Sequence, residues 1–195
     1  MEEQMVSWSI AVLSLFVSSC SAFGPLVVQE PSGNVVVREP NVNRCQAGSH
    51  QVAFVMPDGW INDAEGLKQI GGCAVLLPVG TTLQTTKKAI LILFQQRDAR
   101  NPSFTDLKAY ADANLKAMKA RFQDVKIDER KIPGREAKST SYLAYEVYGK
   151  AGPSPSLYMF VDASDGFYTV SVTVLKRDEL TSQEMTKFLS TLAVL

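Results

Sequence analysis

SFTDLKAYADANLKAMKARF, residues Ser103 to Phe122, is the stretch of sequence that decides the fold. Its apolar residues recur every three or four positions, which places them on one stripe of an amphipathic helix. The stripe consists of Phe104, Leu107, Ala111, Leu115, Met118 and Phe122. Ser103 and Asp106 have the spacing of a helix N-cap and its N3 partner, so the helix is expected to begin there. Such a stripe has to be covered, and the flanking β-rich segments are the candidates.

These flanking segments have the patterns of β-strands. Residues 89–94 are continuously apolar, which is typical of a central strand covered on both faces. Residues 157–161 and 167–175 predict a hairpin around Ser164-Asp165-Gly166. Further strands are expected at 51–56, 73–77 and 141–148, with a half-exposed edge strand at 125–132. A closing helix from Thr181 has the apolar stripe Met185, Phe188, Leu189 and Leu192. The sequence therefore predicts an α+β fold, an antiparallel β-sheet of about six strands flanked by two main helices.

The N-terminus has the pattern of an export signal. Val6 to Val17 is an apolar run of 12 residues, too short to cross about 30 Å of hydrocarbon as a helix but typical of a signal peptide. The next residues, Ser18-Ser19-Cys20, complete a tetrad with Val17 that resembles a bacterial lipobox. We expect a signal peptide at 1–19 and a lipid on Cys20, which places the protein in a bacterial cell envelope facing the periplasm.

Two other interpretations of the N-terminus stay open. The segment before the apolar run carries Glu2 and Glu3 and no basic residue, which is not the usual charge of a signal peptide. Cys20-Ser21-Ala22 also fits ordinary cleavage, which would give a secreted soluble protein. An uncleaved or buried N-terminal segment is the third possibility.

The remainder of the chain divides into a tether and a domain. Residues 20–50 are rich in Pro, Gly, Asn and Val and are expected to form a lipid-attached tether, with the domain at 51–195. The alternative for the first part is a hairpin of Leu26-Val27-Val28 and Val35-Val36-Val37.

The cysteines support export. If Cys20 carries lipid, Cys45 and Cys73 remain as a pair that an oxidising compartment would join, the alternative being two free thiols. His50 is the only histidine and no C-x-x-C motif is present, so no metal site is predicted. Lys plus Arg and Asp plus Glu are both 20, so no net charge attracts nucleic acid.

The sequence contains no recognisable catalytic motif, and neither catalytic residues nor a cofactor are predicted. Asp58, Asp63 and Glu65 near Trp60 would be paired carboxylates if they lined a cleft, although a solvated loop accounts for them as well. Tyr142, Tyr145 and Tyr148 lie on one expected strand. With Trp60 they are the candidate partner-binding residues, because Tyr and Trp are enriched at interfaces. The alternative is that these tyrosines flank the core with their hydroxyls in solvent.

The order of elements resembles a known family. The residues that carry the resemblance are Pro57-Asp58-Gly59-Trp60, Ser103-Phe104-Thr105-Asp106-Leu107, Pro133-Gly134-Arg135, Gly166-Phe167-Tyr168 and Phe188-Leu189. In this order they are similar to the PsbP-like superfamily, which includes DcrB-type bacterial envelope lipoproteins. The resemblance implies an α/β/α sandwich around an antiparallel sheet and a non-enzymatic role in assembly or accessory binding at a membrane. It carries over no site residues.

Two functions are consistent with these observations. The first is a non-enzymatic envelope lipoprotein whose domain binds a protein partner or supports an assembly at the membrane. The second is a carrier of a small apolar ligand, held in a pocket between sheet and helix. An enzyme ranks third, because the sequence lacks a catalytic set of residues.

Overall fold

The structure is a computed structural model that describes residues 26–29, 35–38, 42–122, 124–136, 140–149 and 154–195. The expected signal peptide at 1–19 and the expected lipid site at Cys20 lie outside these residues. The strands are β1 Leu26–Gln29, β2 Val35–Arg38, β3 Val42–Ala47, β4 His50–Val55, β5 Trp60–Asn62, β6 Ala74–Pro78, β7 Ala89–Gln96, β8 Val125–Glu129, β9 Tyr142–Gly149, β10 Ser156–Asp162, β11 Gly166–Thr173 and β12 Ala193–Val194. The helices are α1 Ala64–Ile70, α2 Leu107–Arg121 and α3 Gln183–Thr191, with 3-10 helices at Pro102–Phe104 and Arg177–Thr181.

The main sheet has seven strands in the order β5-β6-β7-β11-β10-β9-β8, and every neighbouring pair is antiparallel. A smaller antiparallel sheet has the order β12-β4-β3. These sheets and the helices confirm the α+β fold. The short strand β5 did not appear in the sequence pattern, because three residues are too few to show a period.

The main sheet is covered on both faces. Tyr168, Val170 and Val172 of β11 point to one face and pack with α3 and the small sheet. Phe167 of β11 and Phe160 of β10 point to the other face and pack with α2. The alternation along the strands therefore divides the core into two layers.

Helix α2 begins later than the sequence suggested. It starts at Leu107, and the carboxylate of Asp106 accepts a hydrogen bond of 2.8 Å from the backbone N–H of Ala109. Ser103 belongs instead to the preceding 3-10 helix, where its backbone N–H donates to Asn101 at 3.0 Å. Asp106 is thus the N-cap rather than the N3 residue, and Phe122 follows the last helical residue in extended conformation.

The closing helix agrees with its predicted stripe. Met185, Phe188, Leu189 and Leu192 are all buried. The N-cap is Ser182, one residue after the expected Thr181, and its hydroxyl accepts from Met185 N at 3.2 Å. Phe188 packs edge to face on Phe54 of β4, with the ring centroids 5.7 Å apart.

The chain divides into two compact units, 1–40 and 41–195. In the first unit Leu26–Gln29 pairs with Val35–Arg38, so the hairpin that was the alternative to a plain tether is present. In the second unit β3 pairs with β4 from Val42 onward, and the compact domain therefore includes residues before the expected start at Gln51. Within the described residues no helix is long and apolar enough to cross a membrane.

Candidate functional site

An open cleft of about 700 Å³ lies at the β5–β6 end of the main sheet. It is bordered by the turn before β5, the loop between β6 and β7, the 3-10 helix Arg177–Thr181 and the start of α3. The lining residues are Asp58, Gly59, Trp60, Pro78, Thr81, Thr85, Thr86, Lys87, Lys88, Val174, Leu175, Glu179, Ser182, Glu184 and Met185. This volume lies within the range of sites that bind small molecules or anchoring side chains.

A tight turn positions Trp60 in the cleft. The Trp60 N–H donates to the Pro57 carbonyl at 3.2 Å, and Gly59 has a φ of +74°, a conformation that glycine adopts without strain. The carbonyl of Gly59 accepts from the N–H of Val79 at 2.8 Å, which fixes the turn to the end of β6. Trp60 itself packs against the core beside α3. The aromatic ring is therefore held by the fold rather than by a loose loop.

Part of the cleft lining is apolar. Trp60, Pro78, Val174 and Met185 contribute apolar surface to it. Leu175 lines the cleft while 53% exposed. Val79 is next in sequence to the lining residue Pro78 and is 64% exposed. A ligand or partner that fills the cleft would therefore remove apolar surface of Leu175 from water.

The loop between β6 and β7 supplies hydroxyl groups that are engaged with its own backbone. Thr81 Oγ1 donates to the Pro78 carbonyl at 2.7 Å. Thr85 Oγ1 accepts from Thr82 N at 2.9 Å. Thr86 Oγ1 accepts from Lys88 N at 3.0 Å. These bonds give the wall of the cleft a defined shape in a segment without regular secondary structure.

Two carboxylates in the cleft have contrasting surroundings. The ammonium of Lys88 donates to Glu179 Oε2, and this hydrogen bond lowers the pKa of Glu179. Glu184 Oε1, by contrast, is shielded from water without a hydrogen-bond partner in the described residues. Burial, and after it the charge of Asp58, raises the pKa of Glu184, while the Asp58 backbone partly offsets the effect.

The structure divides the sequence-predicted partner residues among different places. Trp60 lies in the cleft at one end of the main sheet, whereas β9 lies next to the edge strand at the other end. Tyr145 contacts Phe160 in the α2 layer, with 6.3 Å between ring centroids. Tyr142 packs in the α3 layer. Tyr142 and Tyr145 lie on opposite faces of β9, so these four residues do not share one surface, and their part in partner binding stays a prediction.

Two of these tyrosines have structural partners of their own. The hydroxyl of Tyr142 accepts from Ile132 N at 3.2 Å, and the Arg135 guanidinium lies 5.1 Å from the centre of its ring. Tyr148 donates to Asp128 at 2.8 Å, and the Arg177 guanidinium lies 4.0 Å above its ring. These contacts are what a residue that flanks the core would make.

Among the acidic residues near Trp60, only Asp58 lines the cleft. Glu65 forms an exposed ion pair with Lys68 at 2.7 Å. Asp63 is the N-cap residue of α1, and its side chain makes no capping hydrogen bond. The other carboxylates of the cleft are Glu179 and Glu184, which lie far along the chain and which no local sequence pattern singles out.

Cys45 and Cys73 form a disulfide that joins β3 of the small sheet to the residue before β6. His50 contacts Ser164 Oγ at 2.8 Å and the Leu195 carbonyl at 3.2 Å. Within the described residues, no three His, Cys, Asp or Glu side chains lie close enough together to hold a metal ion.

The comparisons with known proteins concern the fold. No family model and no curated protein matches this sequence. The structure is similar to the solution structure of cyanobacterial PsbP (CyanoP) from Synechocystis sp. PCC 6803, with 18% sequence identity and a TM-score of 0.47. The match covers 74% of this chain and 86% of that chain. No functional step follows from this similarity, and the finer assignment to DcrB-type lipoproteins stays a prediction.

Proposed function

We propose that this chain is a lipid-anchored protein of a bacterial cell envelope whose domain binds a protein partner through the cleft. The observation that carries the proposal is the cleft itself, an opening with a fixed tryptophan and an exposed apolar rim. The apolar run at Val6 to Val17 and the cysteine at position 20 support the anchor.

The shape of the cleft favours a partner chain over an enclosed ligand. Leu175 and Val79 are more than half exposed, so an occupant confined to the cleft would leave the rim in water. A partner segment that continues past the cleft would cover both side chains, and burial of their apolar surface would favour the complex.

A carrier of a small apolar ligand is the second candidate. Its expected place was the space between sheet and helix. The side chains there pack ring against ring, with Tyr110 of α2 stacked on Phe167 at 4.8 Å and edge to face with Phe160 at 5.7 Å. The hydroxyl of Tyr110 also contacts Thr169 Oγ1 at 2.9 Å. If the protein is a carrier, the open cleft is therefore the better place for its ligand.

The anchor is tested by metabolic labelling of the full chain with radioactive palmitate. We expect label in the wild type and none in Cys20→Ala. An unlabelled wild-type protein would remove the anchor from the proposal.

The partner surface is tested by site-specific photocrosslinking in native membranes. A photoreactive amino acid replaces Leu175 in the cleft, and the matched control replaces the 42% exposed Ile70 of α1. We expect a discrete crosslinked species from position 175 that is absent from position 70 and disappears in the Trp60→Ala variant. Equal crosslinking from both positions would exclude the cleft as the partner surface.

A further inference from the structure

Glu184 is a carboxylate of the cleft that the described residues satisfy only in part. A hydrogen bond from the Asp58 backbone reaches the carboxylate, but its Oε1 atom is shielded from water and lacks a hydrogen-bond partner in the described part of the chain. A shielded acceptor without a donor destabilises the free protein, and more so when it is charged. A donor supplied by an occupant of the cleft would remove this cost.

The charges around Glu184 favour a cationic donor. The cleft is lined by three carboxylates, Asp58, Glu179 and Glu184, and by two ammonium groups, Lys87 and Lys88. The pair of Lys88 and Glu179 is internally neutralised. Of the remaining charged groups, Asp58 and Glu184 are negative and Lys87 is positive. The cleft therefore has one excess negative charge.

The apolar floor adds a second requirement for the occupant. Trp60 and Met185 line the same cleft as the two carboxylates. The side chain that combines an apolar stem with a charged donor at its end is that of Lys or Arg. The stem can pack on the floor while the ammonium or guanidinium donates to the carboxylates, and a cation near an indole ring is attracted further by the ring face.

We infer that the cleft receives a lysine or arginine side chain of the partner, presented between apolar residues that cover Leu175 and Val79. This inference rests on the proposed function and names the chemistry of its partner. An anionic occupant would be repelled by the carboxylates of Asp58 and Glu184, and a wholly apolar occupant would leave Oε1 of Glu184 without a donor.

The test uses the full chain in a neutral detergent and two peptides that differ in one charged group. The first is Ac-Leu-Lys-Leu-NH2, and the second carries norleucine in place of lysine. Binding is followed by NMR through the indole N–H resonance of Trp60, which Trp60→Phe identifies. We expect the lysine peptide to bind about tenfold more tightly than the norleucine peptide, because its ammonium adds a charge-assisted hydrogen bond.

Variants assign this preference to the carboxylates of the cleft. Glu184→Gln should reduce affinity for the lysine peptide about tenfold while affinity for the norleucine peptide stays within a factor of two. Asp58→Asn should act in the same direction by a smaller factor, and it is a second readout if Glu184→Gln perturbs the fold. The control is Glu65→Gln on α1, which removes an exposed carboxylate outside the cleft and should leave both affinities unchanged.

The results also distinguish this inference from the proposed function. Equal binding of both peptides, or no effect of Glu184→Gln and Asp58→Asn, would overturn the inference while crosslinking at position 175 still supported a partner. Binding of free n-hexylamine as tight as that of the lysine peptide would show a site for small amines and overturn the partner side chain. If crosslinking fails but the lysine peptide binds with the expected preference, the result supports a cleft that accepts a lysine side chain. The same result overturns the proposal of a partner in the membrane.

Discussion

Two glutamates, Glu146 on β9 and Glu184 at the start of α3, differ in how the protein pairs their carboxylates. Glu146 on β9 is 1% exposed and lies between two arginines, with Arg130 Nε 3.2 Å from its Oε2 and Arg177 Nε donating to its Oε1. Glu184 at the start of α3 has a shielded oxygen, Oε1, for which the described residues supply no donor. Both oxygens of Glu146 thus have donors within the protein, whereas Oε1 of Glu184 would gain a donor only from an occupant of the cleft.

The 3-10 helix Arg177–Thr181 separates the two sites and contributes to both. Arg177 at its start pairs with Glu146, and Glu179 two positions later pairs with Lys88 in the cleft. Burial of a carboxylate therefore does not identify a binding site. Glu184 differs from Glu146 in that one of its oxygens lacks a donor in the described residues and lies in an open cleft.

The largest effect is expected from Glu146→Ala. Glu146 is buried while its two arginines are partly exposed, so alanine removes two charge-assisted hydrogen bonds and leaves a cavity without burying an unpaired charge. We expect a loss of about 3 kcal/mol in the free energy of unfolding, measured by urea denaturation. This is a large fraction of the stability of about 5–15 kcal/mol that is typical of a domain.

The matched control for this substitution is Asp112→Ala on α2. Lys108 and Asp112 form an exposed ion pair at 2.5 Å, with side chains 74% and 55% exposed. Loss of such a pair should change stability by less than about 0.5 kcal/mol. If the two substitutions cost the same, the Glu146 network would not be the structural element that the comparison assumes.

The next effect in size concerns Arg135, which shows that an unsatisfied atom does not always mark a site. Arg135 is 2% exposed, and its Nη1 donates to the last carbonyls of α3, Leu192 at 2.5 Å and Leu189 at 3.1 Å. Its Nε has no hydrogen-bond partner among the residues that the structure describes, and burial lowers the pKa of the guanidinium. Neither acceptor of these hydrogen bonds lines the cleft, so Arg135 caps the C-terminal end of α3.

We expect Arg135→Met to reduce the free energy of unfolding by about 2 kcal/mol. The carbonyls of Leu189 and Leu192 lose their donor, but the cost of burying the charge is removed at the same time, so the effect is smaller than that of Glu146→Ala. Thermal unfolding monitored by circular dichroism measures the difference. A loss equal to or larger than that of Glu146→Ala would reverse the order and show that the helix cap matters more than the ionic group.

The sequence was sufficient for the layers of the fold but not for these charged sites. Alternation along β11 and the stripe of α3 appear as local periods, because one buried face requires them. Tyr168 and Phe188 could therefore be placed in the core from pattern alone. The N-cap of α2 lies three residues after the expected one, since both Ser103 and Asp106 are good N-caps and only the structure shows which one is used.

The candidate site was predictable only in Trp60. Pro57-Asp58-Gly59 is a turn motif, so the sequence places Trp60 directly after a turn and Asp58 within it. Glu184 is far along the chain, and its contact with Asp58 depends on how α3 returns to the sheet, which no local pattern contains. Arg135 follows a Pro-Gly turn and Glu146 lies among strand residues, where a charge normally indicates solvent rather than burial.

Within the cleft, the pair of Lys88 and Glu179 should have a small stabilising effect. Both side chains are about one-third exposed, 31% and 30%, so Lys88→Met should reduce stability by less than about 1 kcal/mol at pH 7. Since Lys88 lowers the pKa of Glu179, the contribution exists above the unfolded pKa of about 4.3 and is lost as the pH falls through the lower folded value. Comparing urea denaturation at pH 7 and pH 3 checks this. A difference between wild type and variant that persists at pH 3 would assign the effect to packing of the lysine stem.

The smallest effect has the opposite sign and belongs to Glu184→Gln. The folded protein holds the proton of Glu184 more tightly than the unfolded chain, because burial and Asp58 raise its pKa. The charged form of Glu184 therefore destabilises the folded protein at pH values above the raised folded pKa. This destabilisation vanishes as the pH falls below the unfolded pKa of about 4.3. Glutamine should stabilise the free protein by about 0.5 kcal/mol at pH 7, since the group is partly solvated, and should have no effect at pH 3. If Glu184 binds an occupant of the cleft, Glu184→Gln should both stabilise the free protein and weaken binding of the lysine peptide. A loss of stability at pH 7 would place Glu184 with Glu146, as a carboxylate that the fold itself uses.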